Sequence, residues 1–96
     1  MNLFSNNDDF KSLIKEGKWL VDFSASWCGP CRMLEPVLVE FAKDNNVLQV
    51  DIDQFRDLSD SFNIMSVPTL MCFENGNLKV QDSGYKSLDE LKNFVK

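Results

Sequence analysis

The stretch Trp19-Leu20-Val21-Asp22-Phe23 sets apolar side chains on both sides of a single carboxylate. A strand with one wet face alternates apolar and polar residues, so an apolar run of this kind is the pattern of a central strand buried on both faces. The carboxylate is the anomaly. Asp22 is either a strand-end residue that reaches solvent or a buried acid, and burial raises a carboxyl pKa toward neutrality. The chain has the means to enclose such a strand. Its 96 residues are 44% hydrophobic and include 8 Phe, which makes residues 1–96 one domain around one core, burying roughly 60–68% of the unfolded surface.

Around that strand the spacing predicts the rest of the chain. After a short apolar start, Asn6 and Asn7 are placed to cap a short helix with Phe10, Leu13 and Ile14 on one face, ending near Gly17. A Ser- and Gly-containing turn after Phe23 leads into a long helix from about Pro30 to Lys43, with Met33, Leu34, Val37, Leu38 and Phe41 at helical spacing. Pro36 inside it removes the hydrogen bond to the Arg32 carbonyl and implies a kink. Leu48, Val50 and Ile52 alternate with Gln49, Asp51 and Asp53 as in a strand, and a weaker helix runs through Leu58 and Phe62. Thr69 to Phe73 and Leu78 to Val80 flank Glu74-Asn75-Gly76-Asn77, an antiparallel hairpin signal because Asn and Gly both accept positive φ. Ser87-Leu88-Asp89-Glu90 is a capping box opening a last helix with Leu88, Leu91, Phe94 and Val95. The expected order is β-α-β-α-β-α-β-β-α.

Ten Lys and Arg against 15 Asp and Glu give a net charge of −5, which argues against nucleic acid as a partner, since that affinity rests on clustered basic side chains. No segment approaches the roughly 18 apolar residues of a membrane span, and MNLFSNNDDF lacks a basic stretch followed by an apolar run, so a cytoplasmic protein is expected. Three Cys are too few for a disulfide-stapled scaffold, and the absence of His removes the commonest acid–base group and metal ligand.

The chemistry therefore falls to thiols and carboxylates, and Trp27-Cys28-Gly29-Pro30-Cys31 concentrates it where a strand and turn enter a helix. Cys28 at a helix N-terminus meets free amide N–H groups and the positive end of the dipole, which favour thiolate over thiol and mark it as the nucleophile. Cys31, about one turn on, is close enough to form a disulfide and partly covered, as a resolving thiol should be. Gly29 lets the backbone turn, and Pro30 near the first helical position starts the helix at no hydrogen-bond cost. The competing reading is half of a zinc site, but only Cys72 remains and there is no His to complete a tetrahedron, leaving only metal or cluster binding shared between two chains. Cys72 itself reads as a small buried hydrophobe in a strand, with a regulatory thiol as the alternative. Trp27 taken alone reads equally as a core aromatic.

Val21 to Cys31, the Ser66-Val67-Pro68-Thr69-Leu70 segment, Asn75-Gly76 and Gly84 together resemble the thioredoxin family, in the same order and at similar spacing over nearly the whole chain. The resemblance implies an α/β, three-layer thioredoxin fold, with a mixed five-stranded central sheet flanked by four helices and the active cysteines exposed at one end of the central strand. It implies that Asp22 is a buried carboxylate that takes or relays the proton of Cys31. It also implies a cis Val67–Pro68 bond beside the dithiol, whose Val67 backbone pairs with an extended substrate segment. Trp27, Gly29, Pro30, Val67, Pro68 and Gly84 would then form a flat apolar substrate groove. Two residues depart from common family patterns: Ser24 stands where some bacterial members have Trp, and Gln49 where many have a lysine near the buried acid, a loss expected to raise the Asp22 pKa further.

On this reading the chain is a monomeric protein-disulfide reductase acting through a redox-active Cys28–Cys31 disulfide. It has no other bound cofactor and no metal, its substrates are disulfide-containing proteins, and thioredoxin reductase re-reduces it. The alternatives are a disulfide oxidant or isomerase, and a thioredoxin-like interaction module that docks partners without turnover.

Overall fold

The computed structural model describes residues 1–96. Its elements are β1 (Asn2–Leu3), α1 (Phe10–Leu13), β2 (Lys18–Ser24), α2 (Gly29–Phe41), β3 (Asn46–Asp51), α3 (Arg56–Ser61), β4 (Thr69–Glu74), β5 (Asn77–Ser83) and α4 (Leu88–Phe94), in the order expected. The sheet runs β1-β3-β2-β4-β5, which puts β2 at the centre. β2 is parallel to β3 and antiparallel to β4, β1 is parallel to β3, and β5 is antiparallel to β4. This is the mixed five-stranded sheet with four helices that the resemblance implied.

Every β2 residue from Leu20 to Ser24 is buried. Successive side chains leave a strand on opposite faces, so a run without alternation needs cover on both. Val21 and Phe23 join Phe10, Ile14, Leu48, Val50, Met71 and Phe73 on one face. Leu20 joins Leu34, Leu38, Phe41, Val47, Leu70 and Leu91 on the other, under α2 and α4. Asp22 shares the parity of Leu20, and its register partners are Gln49 on β3 and Leu70 on β4. The carboxylate is thereby carried under α2.

The first core is aromatic. The rings of Phe4, Phe10, Phe23, Phe55, Phe62 and Phe73 meet edge-on or tilted, with centroids from 4.8 to 6.1 Å apart, the geometry favoured by ring quadrupoles. Helices as short as α1 and α3 are not stable on their own hydrogen bonds. Phe10 in α1, and Phe55 and Phe62 at the two ends of α3, hold them to the sheet.

The start of α1 differs from expectation. Ser5 and Asp8 close a turn first, with the Ser5 amide donating to Asp8 Oδ2 at 2.8 Å and the Asp8 amide to the Ser5 carbonyl at 3.0 Å. Asn6 and Asn7 lie inside that turn, so the N-cap moves to Asp9 and the helix ends at Leu13, well short of Gly17. β5 extends past Val80 because its pairing with β4 continues to Ser83, opposite Thr69. The hairpin turn has the positive φ angles that its residues predict, +51° at Asn75 and +84° at Gly76. Asn75 also accepts the Gly17 N–H on Oδ1 at 2.9 Å, tying the hairpin to the turn before β2.

Candidate active site

β2 ends at Ser24, and Ala25-Ser26-Trp27 carries the chain into α2, whose N-cap is Cys28. The Cys28 amide donates to the Ala25 carbonyl at 3.2 Å, closing the turn. Cys28 Sγ then does what a capping oxygen does elsewhere: it accepts the Cys31 amide at 3.2 Å, and its S–H donates to the Val67 carbonyl at 3.5 Å. Pro30 sits in the first turn, where an amide would have no partner. Both thiols are free.

The cysteines are not exposed as the resemblance implied. Cys28 keeps 5% of its surface and Cys31 3%, packed with Ala25 and against Ile52 and Val67. The capping bond draws the Cys28 sulfur in toward the helix amides, so solvent meets the rim formed by Trp27, Gly29 and Pro30 instead. Burial pushes the Cys31 thiol up to about 12, and its hydrogen bond with Cys28 adds to this.

Asp22 is wholly buried, which excludes the strand-end, solvent-reaching reading. Its carboxyl is raised from the ordinary 3.8 to about 6, chiefly by desolvation, with a hydrogen bond from Gln49 opposing and the negative charge of Glu35 adding to the rise. Gln49 is thus more than a missing lysine: its Nε2 donates to Asp22 Oδ2 at 3.1 Å, whereas Oδ1 has no partner.

Of the other residues singled out in the sequence, Val67 meets Cys28 directly. Trp27 is 68% exposed, which excludes a core role, and its Nε1 donates to Asp53 Oδ2 at 2.8 Å. Asp53 in turn pairs with Arg56 at 3.5 Å. The Val67–Pro68 bond is cis, Val67 is half-buried and Pro68 buried. The Gly84 amide donates to the Pro68 carbonyl at 2.8 Å, at a φ of +95° that a side chain would strain. Cys72, buried in β4 between Leu20 and Val80, is not part of this assembly. No group of three or more His, Cys, Asp or Glu is arranged to hold a metal ion. The sequence reading did not single out Asp53 or Glu35 as site residues. An indole N–H in need of an acceptor pointed to the first only in general terms, and the second stands one helical turn after Cys31.

A family model described as Thioredoxin matches residues 2–96. The chain belongs to the thioredoxin family. It is 38% identical over 87 residues to a thioredoxin of Staphylococcus aureus, covering 86% of this chain and 84% of the relative. Among solved structures, a mutant thioredoxin from Halobacterium salinarum superposes with a TM-score of 0.89 at 30% identity, over 98% of this chain and 86% of the other. Fasciola hepatica thioredoxin gives 0.89 at 28% identity, over 99% and 96%. The chain is accordingly a thiol–disulfide oxidoreductase that reduces protein disulfides, with chemistry that runs on a redox-active cysteine pair and no further cofactor. No helix is long and apolar enough to cross a membrane.

Proposed function

We propose that Cys28 and Cys31 are the reacting pair of this reductase, with Cys28 attacking, Cys31 resolving and Asp22 handling the Cys31 proton. The observation that carries this is Cys28 Sγ held at 3.2 Å by the Cys31 amide, with the charge of a wholly buried Asp22 carboxylate acting on the Cys31 thiol. Cys28 gives up its S–H proton to solvent and its sulfur attacks a substrate disulfide, forming a mixed disulfide and releasing one substrate thiolate, which takes up a proton in turn. Ionised Asp22 accepts the Cys31 proton, and the Cys31 thiolate attacks the Cys28 sulfur. The Cys28–Cys31 disulfide forms and the second substrate thiolate leaves, so that two electrons have passed from dithiol to substrate. Burial holds the Cys31 thiol above its ordinary value, so it does not ionise unaided near neutrality, which is the physical need for a base.

Trp27, Gly29, Pro30, Val67, Pro68 and Gly84 are the proposed substrate surface, and an extended segment would pair with the Val67 backbone. In the dithiol the Val67 carbonyl is occupied by the Cys28 S–H, and loss of that proton frees it for a substrate amide. The proposal extends to disulfide-containing proteins as substrates, thioredoxin reductase as the source of electrons, and residues 1–96 acting as one monomeric domain. A cytoplasmic setting, where thiols are kept reduced, is part of the same proposal.

Insulin-type disulfide reduction with a recycling electron donor tests the roles. Cys28→Ser is expected to abolish turnover, Cys31→Ser to accumulate the mixed disulfide after one attack, and Cys72→Ser to leave the rate unchanged. Turnover by Cys28→Ser would overturn the assignment.

A further inference from the structure

A cavity of ≈ 250 Å³ opens beside the dithiol, and its walls include Ser24, Cys31, Arg32, Glu35, Gln49 and Asp51. Cys31 is thus approached from two sides, by the Cys28 rim and by this space. Asp22 is not on the wall, but Gln49, which is, donates its amide to the Asp22 carboxylate at 3.1 Å. A partly polar space of this size has room for several waters, so a proton leaving Cys31 has a wet route out here. Glu35 stands on that route, exposed, one turn after Cys31 on the same side of α2. The ion pairs of the chain join Glu40 to Lys43, Asp53 to Arg56 and Asp82 to Lys86, leaving Glu35 unpaired.

We propose that Glu35 is a positioning residue for the resolving step: its unpaired carboxylate, at the mouth of this cavity, holds the proton on Asp22 and so sets the pH at which Cys31 is deprotonated. This rests on the roles proposed above for Asp22 and Cys31. The other groups facing the same space do not cancel the effect. On α2, Arg32 is exposed and does not bridge to Glu35. On β3, Asp51 accepts the amides of Asp53 and Gln54 on Oδ1, and Gln49 carries no charge. β4 presents Leu70 beside Asp22, and α4 adds Leu91 to this face. The negative charge of Glu35 acts in the same direction as burial, and the Gln49 hydrogen bond acts against them. In the step itself, ionised Asp22 takes the proton of the Cys31 thiol, giving a thiolate and a neutral carboxyl. The carboxyl later returns its proton to solvent, and no electrons move in either transfer.

A charge series at position 35 tests this, using Glu35→Gln and Glu35→Lys in the full chain. NMR follows the Asp22 carboxyl titration, and single-turnover reduction of a disulfide peptide follows the pH profile of Cys31 resolution. Both midpoints are expected to move together to lower pH in the order Glu, Gln, Lys, by on the order of half a pH unit for each charge step. In an Asp22→Asn background the profile is expected to be flat through this range and indifferent to residue 35. Midpoints that do not move in Glu35→Gln or Glu35→Lys, while Asp22→Asn still removes the dependence, would overturn the role of Glu35 alone. A pH dependence that survives Asp22→Asn would overturn the role of Asp22 and this proposal with it.

Discussion

At Cys31 a single residue shows how burial becomes chemistry. Its thiol is held protonated near neutrality by desolvation, so it reacts only when a partner takes the proton, which keeps it from competing with Cys28 for substrate. Cys72 is likewise buried, and its thiol is pushed up by desolvation. Brief alkylation of the reduced protein at pH 7 followed by mass mapping is therefore expected to label Cys28 at least about ten times faster than Cys31 or Cys72. Equal labelling of Cys28 and Cys31 would contradict the assigned order of attack. The burial of Cys28 itself tempers the contrast with a free thiol, and no spacing rule indicated it, because the sulfur is turned inward by an amide one turn away.

The elements hold by different means. α2, 13 residues long and interrupted by Pro36, is held as a helix by packing Leu34 and Leu38 against the sheet. α4 is shorter and relies on its ends. The Ser87 hydroxyl accepts the Glu90 amide at 3.2 Å and Glu90 Oε1 accepts the Ser87 amide at 2.9 Å, a complete capping box. Ser87→Ala is expected to lower stability by about 1 kcal/mol in urea unfolding, with turnover unchanged. A loss near zero would mean that Leu91, buried against α2 and the sheet, holds the helix alone. The box, the Asn75-Gly76 hairpin and the α2 start were legible in the sequence because each is a contract among residues three or four apart. The start of α1 was not, since two competing local turns overlap there and Ser5–Asp8 prevails.

For the whole molecule the buried acid is a cost. Unfolded, Asp22 ionises near the ordinary 3.8, and folded, near 6. Between those values the unfolded chain has released a proton that the folded chain keeps, so stability falls as pH rises through this window and stays reduced above it. The deficit at pH 7 is about 3 kcal/mol. Asp82 and Glu90, held below the usual carboxylate range by hydrogen bonds from Lys86 and from the Ser87 amide, respectively, act in the opposite sense: they favour the folded state above their ordinary values and lose this as pH falls. The difference between wild type and Asp22→Asn isolates the buried acid from them. Asp22→Asn is expected to be the more stable protein by roughly 2 to 3 kcal/mol at pH 7, with the gain fading toward pH 4, as chemical unfolding at several pH values would show. A gain of the same size at pH 4 would point to packing and not ionisation.

By itself the sequence determined the order of elements, the central place of β2, the N-terminal position of Cys28 on α2 and the hairpin and capping-box ends, because hydrophobic period and turn chemistry act over a few residues. The tertiary structure decided what depends on distant neighbours. The β2–β3 register set Gln49 against Asp22, and the packing of α2 over the sheet sank both thiols and raised the carboxyl to about 6. The cavity that brings Glu35 and Gln49 to one space with Cys31 exists only once strand and helix are docked. Desolvation and through-space charge depend on what surrounds a group in three dimensions, and that is a property of the assembled layers.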